Sequence, residues 1–374
     1  MIERDALGRL GRTALPIVAI LSMALGLFVG LAGAGDTLGY DFRAYHQAIV
    51  RLFDGQSLYD MSYTTTGGFG LFYYPPTFAP LLIPFAFLAE RLAVAVWIAL
   101  SVGALGVGIA VLPVSRTIRW WTLLLAGLSF PVIYGLKLGQ VGAVLFLLLA
   151  IGWRWLDAPM RLGVSGALGA AIKVQPGLVL GWALLTRRFR AVGAGVLVLV
   201  VLAAAATLMA GVGAWSDFLT LVRTVSDPIT TPHNFTPGAI AFQLGAAPAT
   251  AAAIQVASTI AVVLVVLAAI RWGADEASYL ATVVATQLVS PILWDHYATL
   301  LLVPVAYLLS AGRWWAALIP LVTAWPLLGL TPPLAYPLAF WASLLAVTIV
   351  GVRARRGLPP EPVAPAIEPD AIAA

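Results

Sequence analysis

The chain has 374 residues, of which 61% are hydrophobic and only 10% charged, and its mean hydropathy is +0.97. A water-soluble domain of this length does not carry such a composition; it is that of a polytopic membrane protein. The absence of cysteine excludes disulfides and thiol chemistry, and the net charge of +5 reflects arginines beside helix ends rather than a nucleic-acid surface.

The charged stretch Met1–Arg12 precedes an apolar run over 14–34. Ala32-Gly33-Ala34 resembles a signal-peptidase site, but the run is of membrane length, so an uncleaved first helix is expected. A polar loop, 35–75, follows. Within it Phe42, Tyr45, Ile49, Leu52 and Phe53 recur at helical spacing, which predicts a short amphipathic helix over 42–54, with Asp41 at its start and Gly55 at its stop. Asp41 could simply cap that helix, and the helix could simply rest on lipid headgroups. Further apolar segments run at about 76–88, 91–112, 120–135, 140–155, 162–186, 190–211, 249–270, 277–290, 296–311, 314–330 and 336–352. A second polar loop, 212–248, holds another amphipathic piece at 214–226. The tail 357–374 is rich in proline, alanine and acid and is expected to be disordered.

Fifteen arginines (4, 9, 12, 116, 119, 154, 161, 187, 188, 190, 271, 313, 353, 355 and 356) can share one side, leaving Arg43, Arg51 and Arg223 on the other, with Arg91 ambiguous. The positive-inside rule makes the crowded side cytoplasmic, with both termini inside and both polar loops outside. Residues 162–186 then begin and end inside. Twenty-five residues at about 1.5 Å each cannot cross twice, so a broken pair of half-helices is expected, its apex at Lys173-Val174-Gln175-Pro176. The whole reads as an all-α bundle of about twelve transmembrane or partial helices over 1–356.

Five polar clusters fall on the outer face. Asp36, Asp41, Arg43 and His46 lie in the first loop, beside Tyr45; Phe72-Tyr-Tyr-Pro-Pro76 closes that loop with Tyr73 and Tyr74. Lys137 and Gln140 share one turn. Lys173 marks the helix break; it and Lys137 are the only lysines. His233 and Asn234 lie in the second loop, where Asn-Phe-Thr is formally a glycosylation sequon; Ser290 to Tyr297 supplies Trp294, Asp295 and His296. Charges at a membrane boundary are costly and face a partner or a cavity, although the lysines could snorkel to headgroups and Trp294 and Tyr297 could be interface anchors. Cations beside carboxylates suit an anionic lipid-linked substrate. No nucleotide-binding or zinc-protease motif occurs, so no cofactor is expected, while Asp36 and Asp41 leave a divalent metal undecided.

These motifs, in order, resemble a known family. They are Asp41 and Tyr45; Gly55, Leu58 and Tyr59; Tyr-Pro-Pro; Leu136, Gly139 and Gln140; Ile172, Lys173 and Pro176; and Ser290, Pro291, Trp294 and His296. The chain is similar over about residues 15–350 to glycosyltransferase family 87, of the GT-C superfamily. The family includes mycobacterial polyprenyl-phosphomannose-dependent α-1,2-mannosyltransferases. The resemblance implies a bacterial cytoplasmic-membrane enzyme with a GT-C-like bundle. It would transfer a sugar from a polyprenyl phosphate to a lipid or glycan acceptor outside the membrane. It also implies a catalytic carboxylate in the first outer loop, at Asp41 with Asp36 in reserve. On that basis Lys173 and His296, with Lys137 and Arg43 behind them, would bind the donor phosphate. Gln140 and Asn234 would hold sugar hydroxyls, with Tyr45, Tyr74, His46, Trp294 and Asp295 nearby. Many family members carry a second histidine where this chain has Tyr297. A lipid flippase or transporter, and a polymerase or ligase using a pyrophosphate-linked donor, are the competing classes.

Overall fold

The computed structural model describes residues 2–60, 71–225 and 227–358, with side chains from Thr13 onward. Most of the expected tail, and the part of the first loop from 61 to 70, lie outside the described residues. Among the described residues the chain is helical, without a named strand.

Among the described residues five helices are long and apolar enough to cross a membrane: α1 (Ile2–Ala32, its apolar part Thr13–Ala32), α4 (Glu90–Val111), α10 (Phe189–Ala210), α13 (Pro248–Trp272) and α17 (Ala335–Arg355). A sixth span is possible where α6 (Phe130–Leu138) and α7 (Gly142–Arg154) meet at 118°. The described residues thus hold five or six full-length spans with shorter apolar helices among them, and they do not decide the expected count of about twelve transmembrane or partial helices. α1, α10 and α13 turn most of their apolar surface outward, as lipid-facing helices do. α14 (Asp275–Leu288) is the opposite: every residue from Ala277 to Leu288 is buried. Trp182 Nε1 donates to Ser278 Oγ (2.9 Å), and Tyr279 Oη donates to the Leu149 carbonyl (2.8 Å), so the first turns of α14 are tied to their neighbours.

Several expected spans are broken. The segment 120–135 is two helices, α5 (Arg116–Leu128) and α6. Ser129 between them is extended and bridges Ala324, and the Phe130 N–H donates to the Thr323 carbonyl (2.9 Å). Backbone groups released by the break are thus satisfied by protein rather than left in lipid. The segment 296–311 begins as a 3₁₀ turn over Asp295–Leu301 before α15 (Leu302–Ser310). Pro304 falls in the first turn of α15, where its missing N–H is tolerated. The segment 314–330 holds only short turns and the four-residue α16 (Leu318–Leu321).

The expected break near Lys173 is present. α8 (Pro159–Ile172) ends at Lys173, and after a 3₁₀ turn α9 (Leu178–Leu185) runs back. A glycine stripe lets α8 press on α10: a Cβ at Gly163 would strike the Ala191 carbonyl. The two ends of the bundle differ sharply. At one end the start of α8, the end of α9 and the starts of α10 and α14 meet. There Arg188 pairs with Asp157 (3.1 Å) and Asp275 (2.9 Å) and donates to the Leu156 carbonyl. Nearby, Arg355 donates to the Gly273 carbonyl (3.0 Å). The other end of α8, about 20 Å away along its axis, carries Lys173.

Candidate functional site

The first loop places its helix by backbone and aromatic contacts. α2 spans Tyr40–Phe53, close to the expected 42–54, and buries Phe42, Tyr45, His46 and Ile49. Its N-cap is Gly39, at φ 69°, not Asp41. The Gly39 N–H donates to the Lys137 carbonyl (2.8 Å), which pins the start of α2 to the end of α6. Phe42 stacks on Trp97 of α4 (centroids 4.9 Å apart), and Trp97 Nε1 donates to the Gly139 carbonyl (2.7 Å). Trp97 has no signature in the sequence, being one aromatic among many in an apolar run.

Asp41 therefore sits in the first turn of α2 with its carboxylate released from capping. Gln140, in the bend between α6 and α7, donates from Nε2 to Asp41 Oδ2 at 2.7 Å. The other end of that amide faces two buried tyrosines. The Tyr74 hydroxyl donates to Gln140 Oε1 (3.0 Å), and the Tyr45 hydroxyl lies 3.3 Å from the same oxygen and 2.5 Å from Tyr74 Oη. Tyr59 Oη in turn donates to the Tyr74 carbonyl (2.7 Å). Asp41 is half-buried. Burial pushes its carboxyl above the ordinary carboxylate range, against the pull of His296, the Gln140 hydrogen bond and Lys173.

Lys173 and His296 both come from chain breaks. Lys173 is extended at the end of α8, and its Nζ lies 3.5 Å from the centroid of the Tyr297 ring. The Thr77 hydroxyl donates to the Ala171 carbonyl (2.8 Å), and Gln175 Nε2 donates to Ser290 Oγ (3.2 Å). These two bonds tie the Lys173 turn to the Tyr-Pro-Pro loop and to the Ser290 turn. His296 is buried on the 3₁₀ turn against α6, its Cβ 3.5 Å from where a Cβ would stand on Gly135. Its Nδ1 lies 3.3 Å from Asp295 Oδ1, which also accepts from the His296 N–H (2.6 Å). Its Nε2 is buried without a hydrogen-bond partner among the described residues.

The remaining candidates stand apart. Arg43 pairs with Glu90 (3.5 Å) and donates to the Asp36 carbonyl (3.1 Å), and Asp36 itself is exposed. His46 Nε2 contacts the Leu88 carbonyl (3.0 Å), anchoring α2 on the turn before α4. Lys137 is turned to the Tyr134 ring, 5.5 Å away. Tyr45 and Tyr74 are buried behind Gln140 rather than open to a ligand, whereas Tyr73 is exposed and Trp294 half-buried. Asn234 is fully buried and its amide is committed. Nδ2 donates to the Pro228 and Pro291 carbonyls (2.6 and 3.0 Å), and Oδ1 accepts from the Thr236 and Leu293 N–H groups (3.0 and 2.9 Å). It is a bracket between two loops, so a role with sugar hydroxyls is withdrawn and the sequon is closed to modification.

Thus Asp41, Gln140, Lys173, His296 and Tyr297, spread over more than 250 residues, form one carboxylate–cation cluster at the end of the bundle opposite Arg188. Fold and cluster define a helical membrane protein with ionisable groups gathered at one face. The model of glycosyltransferase family 87 matches residues 72–291, more than half of the chain. The chain belongs to that family and is a membrane glycosyltransferase. The match takes in Tyr74, Lys137, Gln140, Lys173 and Ser290, and stops short of Asp41 and His296. No curated protein matches the chain.

Proposed function

We propose that this protein transfers a sugar, mannose by the family's precedent, from a polyprenyl phosphate to a hydroxyl of a lipid or glycan acceptor, with inversion. Asp41 is the base. It takes the acceptor proton as the acceptor oxygen bonds to the anomeric carbon from the face opposite the phosphate. The bond from that carbon to the phosphate oxygen breaks with its electron pair, and polyprenyl phosphate departs as an anion. Lys173 and His296 stabilise the charge that grows on it. The donor carries the sugar, so no further cofactor enters the scheme.

The observation that carries this reading is the meeting of Asp41 with the Lys173 and His296 breaks. A carboxylate placed for proton transfer stands within electrostatic reach of Lys173 and His296, the two groups assigned to the leaving phosphate. The GT-C assignment of the bundle rests on the same base-in-first-loop arrangement. The site lies opposite the arginine-rich end, which supports an extracytoplasmic site in the cytoplasmic membrane under the positive-inside rule.

The test is to incubate the purified protein with polyprenyl-phosphate mannose and a panel of mannoside and lipid acceptors. Formation of a new glycosidic bond with release of polyprenyl phosphate supports the reading. A flippase would move the donor across vesicles with no new bond, and a ligase of the competing type would require a pyrophosphate-linked donor.

A further inference from the structure

We propose that Gln140 is a positioning residue for the Asp41 carboxylate, and that the buried Tyr45–Tyr74 hydroxyl pair fixes the amide in the orientation this needs. The inference rests on Asp41 as the base. It replaces the expectation that Gln140 holds a sugar hydroxyl.

The geometry argues it in three steps. First, both ends of the amide are engaged within the protein, Nε2 by Asp41 Oδ2 at 2.7 Å and Oε1 by Tyr74 at 3.0 Å, and Gln140 is buried. Little of it is left for a ligand. Second, the amide has one workable orientation. Turned over, it would set its carbonyl oxygen against the carboxylate oxygen, two acceptors without a proton between them. The tyrosine pair carries hydroxyl hydrogens that suit the carbonyl end, so the two partners enforce the same arrangement. Third, the bond consumes one carboxylate oxygen. Oδ1 has no hydrogen-bond partner among the described residues and is left to receive the acceptor proton. Because Gln140 donates, it also favours the ionised carboxylate, the form a base requires, in a setting whose burial favours the neutral one.

The signal was in the sequence only as a juxtaposition. Gln140 follows Gly139, whose φ of 69° bends the chain between α6 and α7 and turns the glutamine toward α2.

The test compares Gln140→Glu, Gln140→Met and Tyr74→Phe with the wild-type protein, using polyprenyl-phosphate mannose and the acceptor from the panel above that the wild type glycosylates. Gln140→Glu keeps the shape but sets a second carboxyl beside the first. Its kcat should fall about a hundredfold at neutral pH, with the acidic limb of the pH profile moved upward and activity recovering at higher pH. Gln140→Met should lower kcat about tenfold to a hundredfold with a smaller upward move, and Tyr74→Phe should move the limb in the same direction by less. Donor KM should change by less than about threefold in all three. A raised KM with an unmoved limb would mean that Gln140 contacts the sugar and would overturn the proposal, as would wild-type profiles.

An infrared difference titration, with Asp41→Asn marking the Asp41 carboxyl band, reads the same effect without turnover. Asp41 should titrate at higher pH in Gln140→Glu and in Tyr74→Phe, and an unmoved band rejects the inference. The two readings separate cleanly. Full activity in Asp41→Asn defeats the base assignment, whereas an inactive Asp41→Asn beside a wild-type-like Gln140→Glu defeats the positioning alone.

Discussion

The Lys173 ammonium lies against the face of the Tyr297 ring, 3.5 Å from its centroid, and has no salt-bridge partner among the described residues. An aromatic face leaves the ammonium unpaired for an incoming anion, whereas a carboxylate partner would occupy it, and burial lowers its pKa to about 7, so the approach of an anion would favour the charged form. Replacing Lys173 by methionine should therefore lower kcat/KM about 10²–10³-fold, with arginine restoring part of the loss. Tyr297→Phe keeps the aromatic face and should stay within about threefold of wild type, whereas Tyr297→Leu should not. Steady-state kinetics on the four variants checks this, and an unchanged Lys173→Met rejects the phosphate role.

The pH dependence follows from the burial of Asp41. A base must be deprotonated, and burial raises the carboxyl above its ordinary value of about 3.9. Activity should be present at neutral pH and be lost as pH falls through that raised value. The acidic limb of kcat/KM should thus lie above pH 4, and should be absent from the residual activity of Asp41→Asn. A limb at or below the ordinary value contradicts the account.

Asn234 gives a stability prediction. Removing its amide leaves two carbonyls and two N–H groups buried without their partner. Asn234→Ala should cost on the order of 3 kcal/mol, with donor KM unchanged in the folded fraction. Thermal unfolding in detergent beside Michaelis kinetics separates this from a sugar contact, which would raise KM and spare stability.

Two glycines, Gly135 inside α6 and Gly139 in the bend after it, should respond differently. A Cβ at Gly139 would stand 2.7 Å from Phe42 Cβ, and its φ of 69° is unfavourable for other residues. At Gly135 the nearest atom is His296 Cβ at 3.5 Å, an ordinary contact. Gly139→Ala should lower both thermal stability and turnover, while Gly135→Ala should preserve stability. Equal unfolding temperatures for the two would contradict the role of the Gly139 bend.

Much of this architecture was legible in the sequence, where one physical signal dominated. The long spans announce themselves as apolar runs, and the break at Lys173 shows because Pro176 and a lone lysine interrupt such a run. The period of Phe42, Tyr45 and Ile49 foretells α2. The break at Ser129 is hidden because its flanks are uniformly apolar and its backbone is satisfied by Thr323 and Ala324, nearly 200 residues away. Among candidate site residues, Lys173 and His296 could be singled out because charge is expensive beside a membrane, and Asp41 because the family resemblance implies a carboxylate in the first outer loop. What Gln140 and Asn234 each do could not. Both are buried amides, and only their partners distinguish a carboxylate holder from a loop bracket.

The most direct measurement is the turnover of Asp41→Asn on polyprenyl-phosphate mannose, with insertion and unfolding temperature checked against wild type. The account predicts a folded, membrane-inserted protein whose glycosyl transfer falls by about 10²–10⁴. Turnover equal to wild type in that variant would contradict it.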